Sequence, residues 1–177
     1  AVPAPPEPPP GPGPEAPAPH SRRQLALVFS GLIMAVLISA LDQTIVSTAL
    51  PTIVGDLRGL EHLSWVITAY LLTSTIGLPI YGKLGDLLGR KNIFIFAIAV
   101  FLLGSALSGQ AHSMGELIAY RALQGVGGGG LIIGAQAIIG DIVSARDRGK
   151  YMGLIGAAFG VASVSGPLLG GYLTEYW

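Results

Sequence analysis

From position 25 onward the chain alternates long apolar blocks with short charged links. The blocks cover 25–50, 64–82, 93–111, 117–139 and 152–173. Each reaches the roughly 20 residues that a helix needs to cross a ~30 Å hydrocarbon core. A water-facing helix carries an apolar stripe opposite a polar face, whereas these blocks are apolar nearly all round. Strands of a membrane barrel would be about half as long and would alternate. The pattern predicts an all-α integral membrane protein with five transmembrane helices within residues 24–177. Residues 1–23 follow another rule. From Ala1 to Pro19 the chain is Pro, Ala, Gly and Glu, with Val2 the largest apolar residue. Such a segment cannot bury enough surface to offset its ordering entropy, so a disordered Pro/Ala-rich tail is expected, with a proline-rich docking motif as the alternative. The apolar block after Arg22 and Arg23 is too long for a signal peptide.

Composition agrees with this reading. Of the 177 residues 51% are hydrophobic and 11% charged, against about 25% charged in soluble domains. Lipid is therefore the expected partner of much of the surface. Basic and acidic residues cancel at 10 each, so no net field points to nucleic acid. The chain has no cysteine, and His20, His62 and His112 lack metal-ligand spacing, so no metal is expected. No nucleophile–base pair suggests an enzyme. The phosphate-binding G-x-x-x-x-G-K-[ST] pattern is also missing, so neither a cofactor nor ATP is expected.

Charge also orients the helices. If the tail is cytoplasmic, the inner side carries Arg22, Arg23, Lys83, Arg90, Lys91, Arg146, Arg148 and Lys150, and the outer side only Arg58. That asymmetry predicts an inside amino terminus.

Four segments carry candidate chemistry. Asp42, within Leu41–Pro51 in the outer half of the first block, is a carboxylate in an apolar setting. It must find water, a partner or a proton, or else lie near enough the interface to be solvated. Thr44, Ser47 and Thr48 on neighbouring faces could line the same cavity or bond backbone. Gly82–Lys91 links the second and third blocks, its glycines permitting a tight turn. Within it Asp86 and Arg90 are spaced to pair on one helical face, which alone is an ordinary surface ion pair. Arg121, with Gln124 and Gly125, opens into a glycine run. An arginine there must face protein or water, or snorkel to the surface. The glycines are read as packing positions, because no strand precedes them to make a phosphate cradle. The fifth block places small residues four apart at Gly156/Gly160 and Gly166/Gly170, with Pro167 favouring a kink.

In order and spacing these segments resemble the major facilitator superfamily, and within it the fourteen-span drug:proton antiporter branch, from residue 25 to the last. Gly82–Lys91 is similar to the superfamily's inner loop between helices two and three, and Arg121-Gln124-Gly125 to its helix-four arginine motif. Gly166-Pro167 with Gly170-Gly171 resembles the helix-five motif of exporters, although Ala162 stands where that motif often has Gly. Leu41–Pro51 resembles the helix-one signature that favours fourteen spans over twelve. The resemblance implies the first five helices of a six-helix half, with the remainder of a longer transporter as the missing partner and a small molecule as substrate. It implies a proton-coupled exporter at the plasma membrane that works by alternating access, with the proton gradient as energy source. The cargo would be a drug-like amphipathic molecule or, alternatively, a lipid, siderophore or self-made antibiotic. A non-transporting scaffold is the reading from another class, and a channel would show rings of pore-lining polar residues. Implied roles are proton coupling for Asp42 and Arg121 and a conformational latch for Gly82, Asp86, Gly89 and Arg90. Gly166, Pro167, Gly170 and Gly171 would give bending or sealing, and Thr44, Ser47 and Gln124 cavity lining. Helices one, two, four and five are expected around a polar cleft, with helix three peripheral.

Overall fold

The computed structural model describes residues 22–57 and 60–176. The tail expected over 1–23 lies outside the described residues except for Arg22 and Arg23, and so do Arg58 and Trp177. Five helices follow: α1 (Arg22–Asp56), α2 (Leu63–Leu88), α3 (Arg90–Ser108), α4 (Met114–Ile142) and α5 (Arg148–Tyr176), with a 3-10 turn at Leu60–His62 before α2. All five are long and apolar enough to cross a membrane, and no strand occurs among the described residues.

Most helices outrun their apolar blocks because much of the charged links is helical too. A helix satisfies its own backbone, so it continues until a residue stops it. α1 passes through Pro51 to Asp56, and α2 runs beyond Gly82 through Lys83 and Asp86 to Leu88. The expected inner loop thus shrinks to Gly89, whose φ of 91° lies in the left-handed region that strains any L side chain. The start of α4 is set by Ser113, whose side chain accepts from the Glu116 amide at 3.3 Å while Glu116 Oε2 accepts from the His112 amide at 2.9 Å.

The helices form two blocks. α4 packs along both α2 and α3, while α1 pairs with α5, and contacts between these groups are sparse. The glycines of α4 make the first block possible. A Cβ on Gly127 would stand 2.7 Å from the Cα of Phe101, one on Gly125 2.9 Å from the Cα of Tyr70, and one on Gly130 2.6 Å from the Cβ of Ala97. From the other side, a Cβ on Gly104 of α3 would reach within 2.6 Å of the Gln124 backbone. Helix three lies backbone to backbone on α4, with Gly104 against Gln124 and Gly127 against Phe101, and it packs on α2 and α4 and scarcely on α1 or α5, the peripheral place expected for it. In the second block a side chain on Gly166 would collide with Thr44, and one on Gly170 would stand 3.0 Å from the Thr48 Cβ. Thr44 Oγ1 also donates to the Ala162 carbonyl at 3.1 Å. Gly149, Gly153, Gly156, Gly160 and Gly171 have open space where a Cβ would go, so the close packing expected at Gly156/Gly160 finds no partner among the described residues.

Candidate functional site: a buried charge cluster and an exposed one

Asp42 and Arg121, 79 positions apart in sequence, meet where α1 crosses α4. Arg121 Nη1 donates to Asp42 Oδ2 at 2.7 Å and to Gln124 Oε1 at 2.7 Å. The two side chains of the ion pair are 4% and 16% exposed, so Arg121 does not snorkel and Asp42 is not solvated at an interface. Because α4 begins at Met114, Arg121 sits two turns inside the helix, deeper than the apolar block alone suggested. The expected polar cleft is instead a closed contact: acid and base touch each other.

Two ions withdrawn from water cost several kcal/mol each, and only close geometry with further polar partners offsets that cost. Tyr70 of α2 supplies part of the offset. Its ring lies under the guanidinium, 4.4 Å from Cζ to centroid, an arrangement worth about 0.5–2 kcal/mol. The Tyr70 hydroxyl accepts from Gln43 Nε2 at 3.2 Å and lies 3.5 Å from Ser39 Oγ. Gly128 makes room, since a Cβ there would collide with that hydroxyl. Arg121 Nε and Gln124 Nε2 are buried donors with no acceptor among the described residues, so the base retains hydrogen-bonding capacity beyond Asp42.

Of the expected cavity residues, only Gln124 joins this cluster. Thr44 bonds backbone at the α1–α5 contact, and the exposed Ser47 donates to the Thr44 carbonyl at 2.8 Å. Tyr70, Gln43 and Ser39 were not legible as site residues. The one sequence signal was that Ser39, Asp42 and Gln43, spaced three and four apart, share a face of α1.

A second cluster joins the end of α2, the start of α3 and the end of α4. Arg90 Nη2 donates to Asp86 Oδ1 at 3.0 Å, and Arg90 Nη1 reaches Asp141 Oδ1 at 2.8 Å and the Ala137 carbonyl at 2.6 Å. Arg90 thus makes more than the i,i+4 surface pair its spacing suggested: it ties three helices. Asp141 was missed because the apolar block ends at 139, whereas α4 runs on to Ile142. Gly89 forms the elbow beside this cluster, while Gly82 has open space around it. In α5, Gly166 and Gly170 pack on α1, Pro167 lies within the helix, and Gly171 faces open space. Among the described residues no group of three or more His, Asp or Glu could hold a metal.

Five lipid-length helices folded around an interior acid–base pair define a multi-pass membrane protein. The chain belongs to the Major Facilitator Superfamily, whose profile it matches over residues 32–177. It is similar to the Multidrug transporter protein MdtP of Bacillus subtilis (strain 168), with 50% identity over 149 residues, 84% of this chain and 28% of that protein. Multidrug resistance protein 3 of the same strain is 48% identical over 148 residues, 84% of this chain and 29% of that protein. The Acurin A biosynthesis cluster MFS-type transporter of Aspergillus aculeatus is 43% identical over 149 residues, 84% of this chain and 27% of that protein. The chain thus spans less than a third of the length of these relatives.

Proposed function

We propose that this chain is the amino-terminal portion of a proton-coupled exporter of amphipathic small molecules, working by alternating access. One observation carries the proposal: an Asp–Arg pair withdrawn from the surface among α1, α2 and α4. An ion pair in that setting has two states of different energy. With Asp42 ionised, its charge holds α1 to α4 through Arg121. When Asp42 takes up a proton the attraction collapses to an ordinary hydrogen bond, and the buried guanidinium must find another acceptor. Proton uptake on one side and release on the other would bias which side of the bundle is open. Arg90, with Asp86 and Asp141, would act as the latch that holds the inner ends of α2, α3 and α4 in one of those states. Gly166 and Gly170 let α5 ride against α1, and Pro167 removes one helical hydrogen bond there, which suits a helix that bends during export.

The positive-inside asymmetry supports a cytoplasmic amino terminus, and the exporter reading implies placement in the plasma membrane. A superfamily transport path lies between two halves, so the working protein would include further helices, in the fourteen-span form that the helix-one segment favours. The test is export of a fluorescent cationic dye from cells or vesicles carrying the complete transporter under an imposed proton gradient. Gradient-dependent export lost in Asp42→Asn is the expected result. Export indifferent to collapse of the gradient would remove the antiport mechanism. A second reading, export of a self-made natural product on the same machinery, is favoured by the relative named for a biosynthesis cluster. Competition between dye and candidate metabolites for export separates the two cargo classes.

A further inference from the structure

The two helix blocks, α1 with α5 and α4 with α2 and α3, touch sparsely, yet polar contacts bridge the seam between them. One bridge is Asp42 to Arg121, and the other runs from Gln43 and Ser39 to the Tyr70 hydroxyl. Tyr70 belongs to both. Its hydroxyl reaches across the seam to α1, and its ring lies against the Arg121 guanidinium within its own block. The side chain is 1% exposed and has little freedom to turn. The Gly128 and Gly125 positions beside it would both be closed by a Cβ, so the α4 surface is shaped to this tyrosine.

We propose that Tyr70 is a positioning residue: it spans the seam and holds Arg121 on Asp42. The ring fixes the plane of the guanidinium from one side, and the Gln43 and Ser39 contacts fix the ring relative to α1. The group that presents Asp42 therefore also sets where Arg121 stands. The charged groups acting on Tyr70 are Asp42 of α1 and Arg121 of α4. α5 approaches α1 through the Ala162 carbonyl on Thr44, and α3 approaches α4 through Gly104 at the Gln124 backbone; neither of these contacts brings a charge. The proposal rests on the exporter reading only for its consequence in transport; the seam itself is testable without activity.

The experiment uses the complete transporter with one reporter thiol, Val36→Cys, on a background without other thiols. Val36 is 0% exposed and belongs to the apolar cluster that contains Tyr70. Tyr70→Phe keeps the ring over the guanidinium and drops the hydroxyl contacts; Tyr70→Leu removes both. Maleimide labelling of the reporter is followed in lipid vesicles, and dye export is measured across a pH series. In Tyr70→Leu, labelling should run about tenfold faster than in the parent and export should fall about tenfold. Its pH dependence should also change, because the contact between Arg121 and Asp42 has been displaced. Tyr70→Phe should fall between the parent and Tyr70→Leu on each measure. Parent-like labelling in Tyr70→Leu overturns the proposal. So does a uniform loss of export with an unchanged pH dependence, which marks the residue as structural only. If the parent itself shows no gradient-driven export, the exporter reading fails and labelling alone decides the role of Tyr70.

Discussion

Two arginine–aspartate clusters occupy different parts of this bundle, and the same pair of side chains does different work in each. Arg121 and Asp42 are 4% and 16% exposed, whereas Arg90 is 32% exposed with Asp86 and Asp141 at 66% and 53%. The buried pair is costly to assemble and costly to break by halves, since loss of one partner leaves the other's charge uncompensated inside the bundle. The exposed cluster can exchange protein partners for solvent at little cost, so it opens and closes readily. Under the proposed function, the first would be the proton-coupling site and the second the latch.

Arg121→Ala should sharpen that contrast most. It leaves Asp42 unpaired and should destabilise the protein by about 3–5 kcal/mol, read as thermal unfolding in detergent, with dye export reduced to background. Asp42→Asn comes next: the amide still accepts from Arg121 but leaves its charge uncompensated, so stability should fall by about 2–3 kcal/mol while gradient-driven export is lost. Arg90→Ala should cost about 1 kcal/mol or less and slow export severalfold without abolishing it. An Arg90→Ala effect as large as that of Arg121→Ala would erase the distinction between the clusters. The smallest effect separates them by screening. Raising salt from 0.1 M to 1 M shortens the Debye length from about 10 Å to about 3 Å, which should shrink the difference between Arg90→Ala and the parent but leave that of Arg121→Ala unchanged.

The existence of the helices was legible because a block of 20 or so apolar residues has few other uses. Their ends were not, because hydropathy marks where lipid stops and not where the helix stops; Asp141 was hidden in that gap. Asp42 and Arg121 stood out for the same reason, as charges in segments with almost none. Their pairing could not be read, since it depends on which faces of α1 and α4 meet, and glycine contacts spread over α4 decide that. Gly127 and Gly130 look alike in sequence to Gly153 and Gly156, yet the first two are filled by α3 and α2 while the second two face open space. Tyr70 gave no sign at all. A tyrosine in an apolar helix is commonplace, and only the absence of a side chain at Gly128, on another helix, makes room for its hydroxyl.

The single-residue elbow at Gly89 has a mechanical consequence. With no loop between them, α2 and α3 have no slack to absorb a shift along the membrane normal. Any vertical travel of α2 must be handed to α3 or taken up by rotation about the two backbone angles of Gly89. Lengthening that joint by a few flexible residues would leave every helix intact and sever the linkage, much as a rope severs what a rod transmits.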